Sequence, residues 1–275
     1  MKVRTQKMAY KRKIYRSDNY IETEISHFGR YGAKGERRAE RQKATPEQVK
    51  KQNQWLREKQ LRRVLQLNFY PNDIWLTLKY LKGTRKTVPE VEEDIRKFQN
   101  KMRKEYKKRG ESFKWVKRIE IGKKGGIHAH FVINRIWGSE LLVSKCWPHT
   151  SHYESITERG GMEDLAAYIV KPLPEEVEQL SMFEDERKRV LKYSTSRNLI
   201  RPEPEVKVFK RKTVRKYLEE LPVEPGFYID KESVKIGINQ ITGYSYIHYR
   251  QIRIEPVKRV LKPPGGGNVS KDFFT

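Results

Sequence analysis

The chain has 275 residues, with 60 lysines and arginines against 35 aspartates and glutamates, so its formal net charge is +25. This charge indicates a polyanionic partner, and nucleic acid is the natural candidate. The single cysteine, Cys146, excludes an internal disulfide and favours a reducing compartment. The sequence lacks apolar runs of about 18 residues, which excludes a membrane span. It also lacks the glycine-rich loop of ATP-driven helicases.

The first 44 residues are polar and basic. We interpret residues 1–44 as a largely disordered arm that tracks phosphates, with a merely solubilising tail as the alternative. A helix start follows, in which Thr45 is the cap, Pro46 occupies the first turn and Gln48 closes a capping box. The sequence predicts that this basic helix ends near Arg62.

The next segment predicts the start of the folded domain. Val64–Phe69 and Ile74–Tyr80 are rich in β-forming residues and flank a Tyr-Pro-Asn-Asp turn, which predicts a hairpin. Thr87–Glu90 forms a second capping box. The apolar residues that follow recur at spacings of three and four, so an amphipathic helix is predicted to end near Gly110. These apolar residues are Val91, Ile95, Phe98, Met102 and Tyr106.

Two strands of alternating pattern come next, Trp115–Ile121 and Ile127–Ile133, joined by a glycine-rich turn typical of a hairpin. Because side chains alternate along a strand, His128 and His130 share one face, opposite the apolar residues. Two registers are plausible, and they set Glu120 across from either His128 or His130. A carboxylate then joins two imidazoles, which predicts a divalent metal site with open positions. Histidines that only hydrogen-bond at the surface are the alternative.

Three further elements are predicted after the hairpin: a short helix around Ser139–Cys146, a strand over His149–Ile156 and a helix over Gly160–Lys171. On the last helix, Tyr168 and Lys171 are three residues apart and share a face. A phenol with a pKa of about 10 needs a nearby cation or a polarised phosphate to attack phosphorus, and Lys171 can supply the charge. An isolated pair of this kind also fits a half-buried aromatic beside a solvated lysine.

The other histidines give little functional indication. His149 and His152 match neither the spacing nor the face of the first pair, so we interpret them as ordinary polar strand residues. His27 and His248 carry no signal.

The C-terminal part predicts an extension of the domain. Residues 205–262 contain a helical pattern over Phe209–Leu221 and two or three strands within Gly226–Ile254, which extend the sheet or form a small cap. Residues 263–275 have the composition of a flexible tail. Three tyrosines in this part could stack bases, although packing against a helix is the favoured interpretation. They are Tyr244, Tyr246 and Tyr249.

The order of the elements predicts an α+β fold. The order β-α-β-β-α-β-α predicts an antiparallel sheet with helices packed on one face, as in the ferredoxin-like split pattern. The predicted domain plan is a basic arm (1–44), a core with a leading helix (45–204), a C-terminal extension (205–262) and a tail (263–275). The histidine face is then the open side of the sheet.

The strand Asp73–Tyr80, the histidine hairpin and the Tyr-x-x-Lys helix occur in the order of the three motifs of the HUH endonucleases. The chain resembles, in particular, the Rep-type initiators of rolling-circle replication. The resemblance covers Val64–Pro204. It includes Ser194–Leu199, which is similar to a run after the third motif in phage and mobile-element members.

The resemblance implies a role for each candidate residue. His128 and His130 carry the metal, Glu120 is the third ligand, Tyr168 attacks phosphorus and Lys171 assists. Only one tyrosine occupies the third motif, which argues against a mechanism with two adjacent nucleophiles.

The expected function is metal-dependent nicking and strand transfer of single-stranded DNA through a phosphotyrosine intermediate, which initiates rolling-circle replication. Mg²⁺ or Mn²⁺ is the expected cofactor. Single-stranded DNA of a replication origin, a host helicase and a host polymerase are the expected partners, in the cytoplasm. The alternatives are an HUH transposase or relaxase of a mobile element, and a non-catalytic protein that binds single-stranded nucleic acid.

Overall fold

A computed structural model describes residues 9–29, 39–41, 43–122, 126–172, 192–209, 217 and 219–263. The chain divides into two compact units. Unit 1 comprises Met1–Leu56 and Arg201–Val257, and unit 2 comprises Arg57–Ile200 and Lys258–Thr275. Each unit contains a five-stranded antiparallel sheet, so the predicted α+β class is confirmed.

The elements are numbered along the chain. They are β1 (Tyr10–Arg16), β2 (Tyr20–His27), α1 (Pro46–Asn68), β3 (Ile74–Lys79), α2 (Val88–Lys108), β4 (Trp115–Ile121), β5 (Ile127–Ile133), α3 (Ser139–Cys146), β6 (Thr150–Ser155), α4 (Gly161–Val170), β7 (Ser194–Thr195), β8 (Glu205–Phe209), β9 (Phe227–Ile238) and β10 (Ser245–Arg253).

The sheet of unit 2 has the strand order β6-β3-β5-β4-β7. Its first four strands therefore have the order fourth, first, third, second, which is the predicted ferredoxin-like arrangement. The run Ser194–Leu199 adds the edge strand β7, where Thr195 pairs with Val116 of β4. Ser196 Oγ accepts a hydrogen bond from the backbone N–H of Trp115, at 3.0 Å. This run thus completes the sheet edge next to β4.

One face of this sheet packs against α2 and α3. Helix α2 begins with the predicted capping box between Thr87 and Glu90, and its predicted apolar stripe is buried. The stripe meets the apolar side chains of β4 and β5, among them Ile119, Ala129 and Phe131. Removing such side chains from water stabilises the fold by about 1.5–3 kcal/mol for each large one.

The prediction that the helices lie on one face is wrong for α4. The Tyr168 hydroxyl of α4 hydrogen-bonds to Glu120, which points away from the α2 side of the sheet. Helix α4 has its own apolar stripe, which has to be buried somewhere, and the second sheet face carries buried apolar residues as well. The buried residues of α4 and of this face include Met162, Leu165, Ala166, Ile169, Trp75, Val116 and Val132.

Two predictions at the start of the domain also need correction. Helix α1 does begin with the predicted capping box, because Thr45 Oγ1 accepts a hydrogen bond from the N–H of Gln48. It continues past Arg62 to Asn68, so Val64–Phe69 does not form the strand of a hairpin. The apolar residues Leu61, Val64 and Leu65 repeat at helical spacing and are buried together, which explains the longer helix.

Asp73, just before β3, is a buried carboxylate with four hydrogen bonds. Arg259 holds it with two, from Nε to Oδ1 at 2.6 Å and from Nη2 to Oδ2 at 2.8 Å. The backbone N–H groups of Tyr70 and Arg135 supply the others. Asp73 is completely inaccessible to solvent, so this bidentate pair fixes the segment around Arg259 to the start of the sheet.

Unit 1 contains the second sheet, with the order β8-β1-β2-β10-β9. The interpretation of residues 1–44 as a disordered arm is therefore wrong for residues 10–27, which form β1 and β2. Ile21 and Ile25 are buried, and Ile25 lies opposite Ile247 of β10. The sequence shows no partner nearby because that partner lies more than 200 residues away. The predicted boundary between core and extension also differs, since residues 201–257 join the N-terminal segment.

The C-terminal strands agree with the predicted pattern. Two strands, β9 and β10, occupy the range Gly226–Ile254, and Tyr244 and Tyr249 are buried, as expected for packing residues. The predicted helix over Phe209–Leu221 differs at its start, because Phe209 is the last residue of strand β8. Residues 210–216 and 218 of that predicted helix lie outside the described ranges. The predicted tail also lies outside them from residue 264 onward.

Candidate active site

The hairpin of β4 and β5 brings Glu120 and the two histidines together. Of the two plausible registers, the structure has the one in which Glu120 lies opposite His128. Gly122 N–H donates to the carbonyl oxygen of Gly126 at 2.8 Å, which closes the hairpin on either side of residues outside the description. The period of two along β5 then places His130 on the same face, one pair further from the turn.

The ligand atoms of these residues converge. Glu120 Oε2 lies 3.4 Å from His130 Nε2 and 3.9 Å from His128 Nε2. One ligand atom from each of the three residues falls within 4.8 Å of the others. Two imidazole nitrogens and one carboxylate oxygen form a donor set that can hold a divalent metal ion.

Strand β3 orients His130 from the side. Thr77 Oγ1 is 3.0 Å from His130 Nδ1, and the Trp75 ring stacks on the imidazole with centroids 5.1 Å apart and planes 8° apart. Because Nδ1 is occupied by Thr77, Nε2 is the nitrogen that faces Glu120. A hydrogen bond of this kind on the far nitrogen is a common way to fix a ligating histidine. Sequence analysis missed both residues, although they alternate on one strand next to β5.

The charge states also suit ligation. Burial lowers the pKa of His128, and the neighbouring His130 lowers it further, so the imidazole favours its neutral form. Burial opposes ionisation of Glu120, but hydrogen bonds from His130, Lys171 and Tyr168 outweigh it and lower its pKa. A neutral imidazole and an ionised carboxylate are the forms that bind metal.

Helix α4 brings Tyr168 to this cluster. The Tyr168 hydroxyl donates to Glu120 Oε2 at 2.6 Å and lies 3.1 Å from His130 Nε2. Lys171, just after the helix, donates from Nζ to Glu120 Oε1 at 2.5 Å, and this Nζ lies 4.1 Å from the centroid of the Tyr168 ring. The structure thus brings together all five residues that the sequence singled out.

Burial raises the pKa of Tyr168, and the Glu120 carboxylate raises it further through its hydrogen bond and its charge. The positive charges of Arg118 and Arg159 act in the opposite direction. The phenol is therefore neutral around pH 7, and a further positive charge is needed to make it a nucleophile.

Arg118 connects the metal strand to the tyrosine helix. It lies two residues before Glu120 on β4, on the same face, and is 2% exposed. Its Nη1 donates to the carbonyl oxygens of Ile169 at 2.9 Å and Lys171 at 2.6 Å, and lies 3.4 Å from that of Tyr168. These are carbonyls at the end of α4, where intrahelical partners run out. The strand alternation with Glu120 was the available signal, and sequence analysis did not use it.

The other histidines have local partners. His152 Nε2 is 3.0 Å from Glu154 on the exposed edge strand β6, and His149 packs near Tyr80 and Trp147, in line with their interpretation as ordinary residues. His248, which gave no signal, is buried in unit 1, with Nε2 2.7 Å from Glu22 Oε1 and Nδ1 3.3 Å from the carbonyl of Ser233. Glu24 lies close to this pair. The 2.7 Å separation is a direct hydrogen bond, so we assign no metal there.

The fold and the site together define a class. A split β-α-β sheet that carries two histidines and a glutamate on one face, with a tyrosine from the following helix beside them, is the arrangement implied by the resemblance to Rep-type proteins. The comparison with known families agrees. A family model of replication-associated proteins, the ORF2 family, matches residues 73–174, which contain Glu120, His128, His130, Tyr168 and Lys171.

The match confirms the resemblance over this segment, and it is consistent with a Rep-type rolling-circle replication initiator. It indicates a role in replication. No match is found among curated proteins or among solved structures. Among the helices of the described ranges, none is both long and apolar enough to cross a membrane.

Proposed function

We propose that this chain nicks single-stranded DNA at a replication origin through a covalent phosphotyrosine intermediate and so initiates rolling-circle replication. The observation that carries the proposal is the position of the Tyr168 hydroxyl, within 3.1 Å of both Glu120 and His130. A nucleophile inside a cluster of potential metal ligands is the arrangement that metal-assisted phosphoryl transfer needs.

Glu120, His128 and His130 would hold a divalent cation, Mg²⁺ or Mn²⁺. Their residue types support the fit, because two imidazoles and a carboxylate accept such ions, and the converging donor atoms support it too. The orientation of His130 by Thr77 is a further argument, since it directs Nε2 toward the shared centre. When bound, the ion would supply Lewis-acid polarisation of the scissile phosphate.

The protein residues carry the remaining steps. Tyr168 Oη forms a bond to phosphorus while the bond between phosphorus and the 3′-oxygen breaks. The phenolic proton passes to water, because the lowered pKa of Glu120 makes that carboxylate a good hydrogen-bond acceptor but a weak base. The 3′-oxygen takes a proton from water. Lys171, 4.1 Å from the tyrosine ring centroid, stabilises the phenolate and the phosphate charge.

The products are a 5′-phosphotyrosine linkage and a free 3′-hydroxyl. A host polymerase can extend that hydroxyl, and because the sequence contains no ATP-binding loop, a host helicase would unwind the duplex. The net charge of +25 supports binding of the phosphate backbone, which contributes affinity without reading sequence.

The test uses a library of single-stranded oligonucleotides with a randomised central segment, labelled at either end, in the presence of Mn²⁺. We expect the full chain to form a covalent adduct that survives denaturing electrophoresis and retains the 3′-side fragment through its 5′-phosphate. Peptide mapping should place the adduct on Tyr168. Tyr168→Phe should bind DNA but form no adduct, because it keeps the ring and removes the nucleophile.

Tyr193→Phe is the matched control. Tyr193 lies on the same unit but is exposed, so its replacement should leave the adduct yield unchanged. An adduct on Tyr193, or cleavage that leaves a 3′-phosphate on the protein, would contradict the proposal. His128→Ala and His130→Ala should abolish cleavage while retaining single-strand binding, because affinity comes mainly from lysine and arginine contacts to phosphates.

A further inference from the structure

Arg159 lies in the connection between β6 and α4, and its guanidinium faces the tyrosine. The guanidinium carbon is 5.5 Å from the ring centroid of Tyr168 and 5.9 Å from that of Trp75. Both rings belong to the site, since Trp75 stacks on His130. The backbone fixes this connection, because Arg159 N–H donates to the carbonyl of Ser155 at 3.1 Å. Arg159 is therefore a half-buried cation beside the nucleophile.

The other cations of the site are already engaged. Lys171 is ion-paired with Glu120, and the Nη1 of Arg118 is committed to the carbonyls at the end of α4. Within the described ranges, the guanidinium of Arg159 makes ring contacts but no side-chain hydrogen bond and no ion pair. Its N–H donors are thus available to an incoming acceptor.

The nearby carboxylates have other partners. Glu158, the preceding residue, accepts a hydrogen bond from the N–H of Ser155 at 2.7 Å, and Glu154 lies 3.0 Å from His152. Neither forms an ion pair with Arg159. An arginine beside a nucleophile, with its donors unused and its local carboxylates occupied, has the chemistry of an anion-binding residue.

We propose that Arg159 binds the scissile phosphate and is a further catalytic residue of this site. Its planar guanidinium would donate to the non-bridging phosphate oxygens while its face remains against the Tyr168 ring. There it would balance the charge that develops as the tyrosine oxygen attacks. The inference rests on the proposed function, because it assigns a substrate contact within the same reaction.

The experiment compares single-turnover adduct formation by three variants at saturating DNA, with the oligonucleotide library and Mn²⁺ as above. Arg159→Gln should lower the rate constant about 10- to 100-fold, the loss that corresponds to one or two hydrogen bonds with a charged partner. Arg159→Lys keeps a charge but not the planar fork, so its rate constant should lie between those of Arg159→Gln and the wild type. Arg103→Gln, an exposed arginine of α2 that removes the same charge, should react like the wild type.

The outcomes separate the two proposals. If the wild type forms no adduct, the proposed function fails, and the role of Arg159 fails with it. If the wild type reacts and Arg159→Gln stays within twofold of Arg103→Gln, only the role of Arg159 is overturned. If Arg159→Gln does not fold, Arg159→Lys decides. A rate constant for Arg159→Lys equal to that of the wild type would overturn the proposal, and a reduced rate constant in a folded variant would support it.

Discussion

Replacement of Arg118 by methionine tests whether strand β4 holds helix α4 in its working position. Methionine preserves the length and the apolar stem of the side chain, so the main loss is the guanidinium. That group bridges the strand of Glu120 and the end of the helix of Tyr168 through its bonds to the carbonyls of Ile169 and Lys171. The change therefore separates the bridge from the packing.

The expected magnitude follows from the two shorter bonds. A hydrogen bond to a charged group contributes about 1.5–3 kcal/mol, so the pair contributes about 3–6 kcal/mol. Keeping a cation buried has a desolvation cost, which also lowers the pKa of Arg118, and this cost offsets part of the gain. We expect Arg118→Met to destabilise the end of α4 by about 2–4 kcal/mol, a loss that leaves its carbonyls without the donor.

Hydrogen exchange measured by mass spectrometry resolves this effect locally. Amides of α4 in Arg118→Met should exchange about 30- to 1,000-fold faster than in the wild type, as an opening free energy reduced by that amount requires. Arg103→Met, on the exposed side of α2, should leave α4 within about 0.5 kcal/mol of the wild type. The rate of adduct formation should fall in parallel with the loss of order.

Unchanged exchange in α4 together with wild-type cleavage by Arg118→Met would refute the bridging role. Faster exchange with wild-type cleavage would show that Arg118 stabilises α4 but does not position Tyr168.

Other contacts lead to three more predictions. Arg259→Ala should cost about 3–5 kcal/mol in unfolding free energy of unit 2, measured by urea denaturation, because it leaves the Asp73 carboxylate buried without its cation. Thr77→Val should weaken Mn²⁺ binding about 10- to 100-fold by calorimetry, because the hydrogen bond that orients His130 is lost, and unaltered affinity would contradict that role. Because the pKa of Tyr168 is raised, the phenolate fraction increases throughout the neutral and mildly alkaline range, so adduct formation should accelerate with rising pH; a rate that falls over about pH 7 to 9 would contradict the tyrosine assignment.

Much of unit 2 could be predicted because its signals are local. The capping box at Thr87, the stripe of α2 and the alternation along β4 and β5 depend only on residues close in sequence. The five site residues were predicted from two such patterns, the alternation that pairs the histidines and the helical spacing from Tyr168 to Lys171. Their convergence required only that a short helix lie over one face of the sheet.

The parts that could not be predicted depend on distant partners. Val64 and Leu65 fit a strand or a helix by composition, and their burial in α1 depends on the tertiary fold. The alternation in β1 is hidden by basic residues such as Arg12, which donates to the Tyr217 hydroxyl at 2.8 Å. Arg159 has no motif at all, since its position beside Tyr168 results from the turn between β6 and α4.

The sheet of unit 1 imposes an order on folding during synthesis. Strand β2 pairs with β10, and roughly 220 residues separate them, so at about 5–20 residues per second the ribosome needs about 10–40 s to supply the missing strand. During that interval the β1–β2 hairpin has one side without its partner, while most of unit 2 has already been made. A nascent chain halted near residue 200 is therefore expected to hold the nucleophile and its histidines together while it exposes an open strand edge, the kind of surface that chaperones bind.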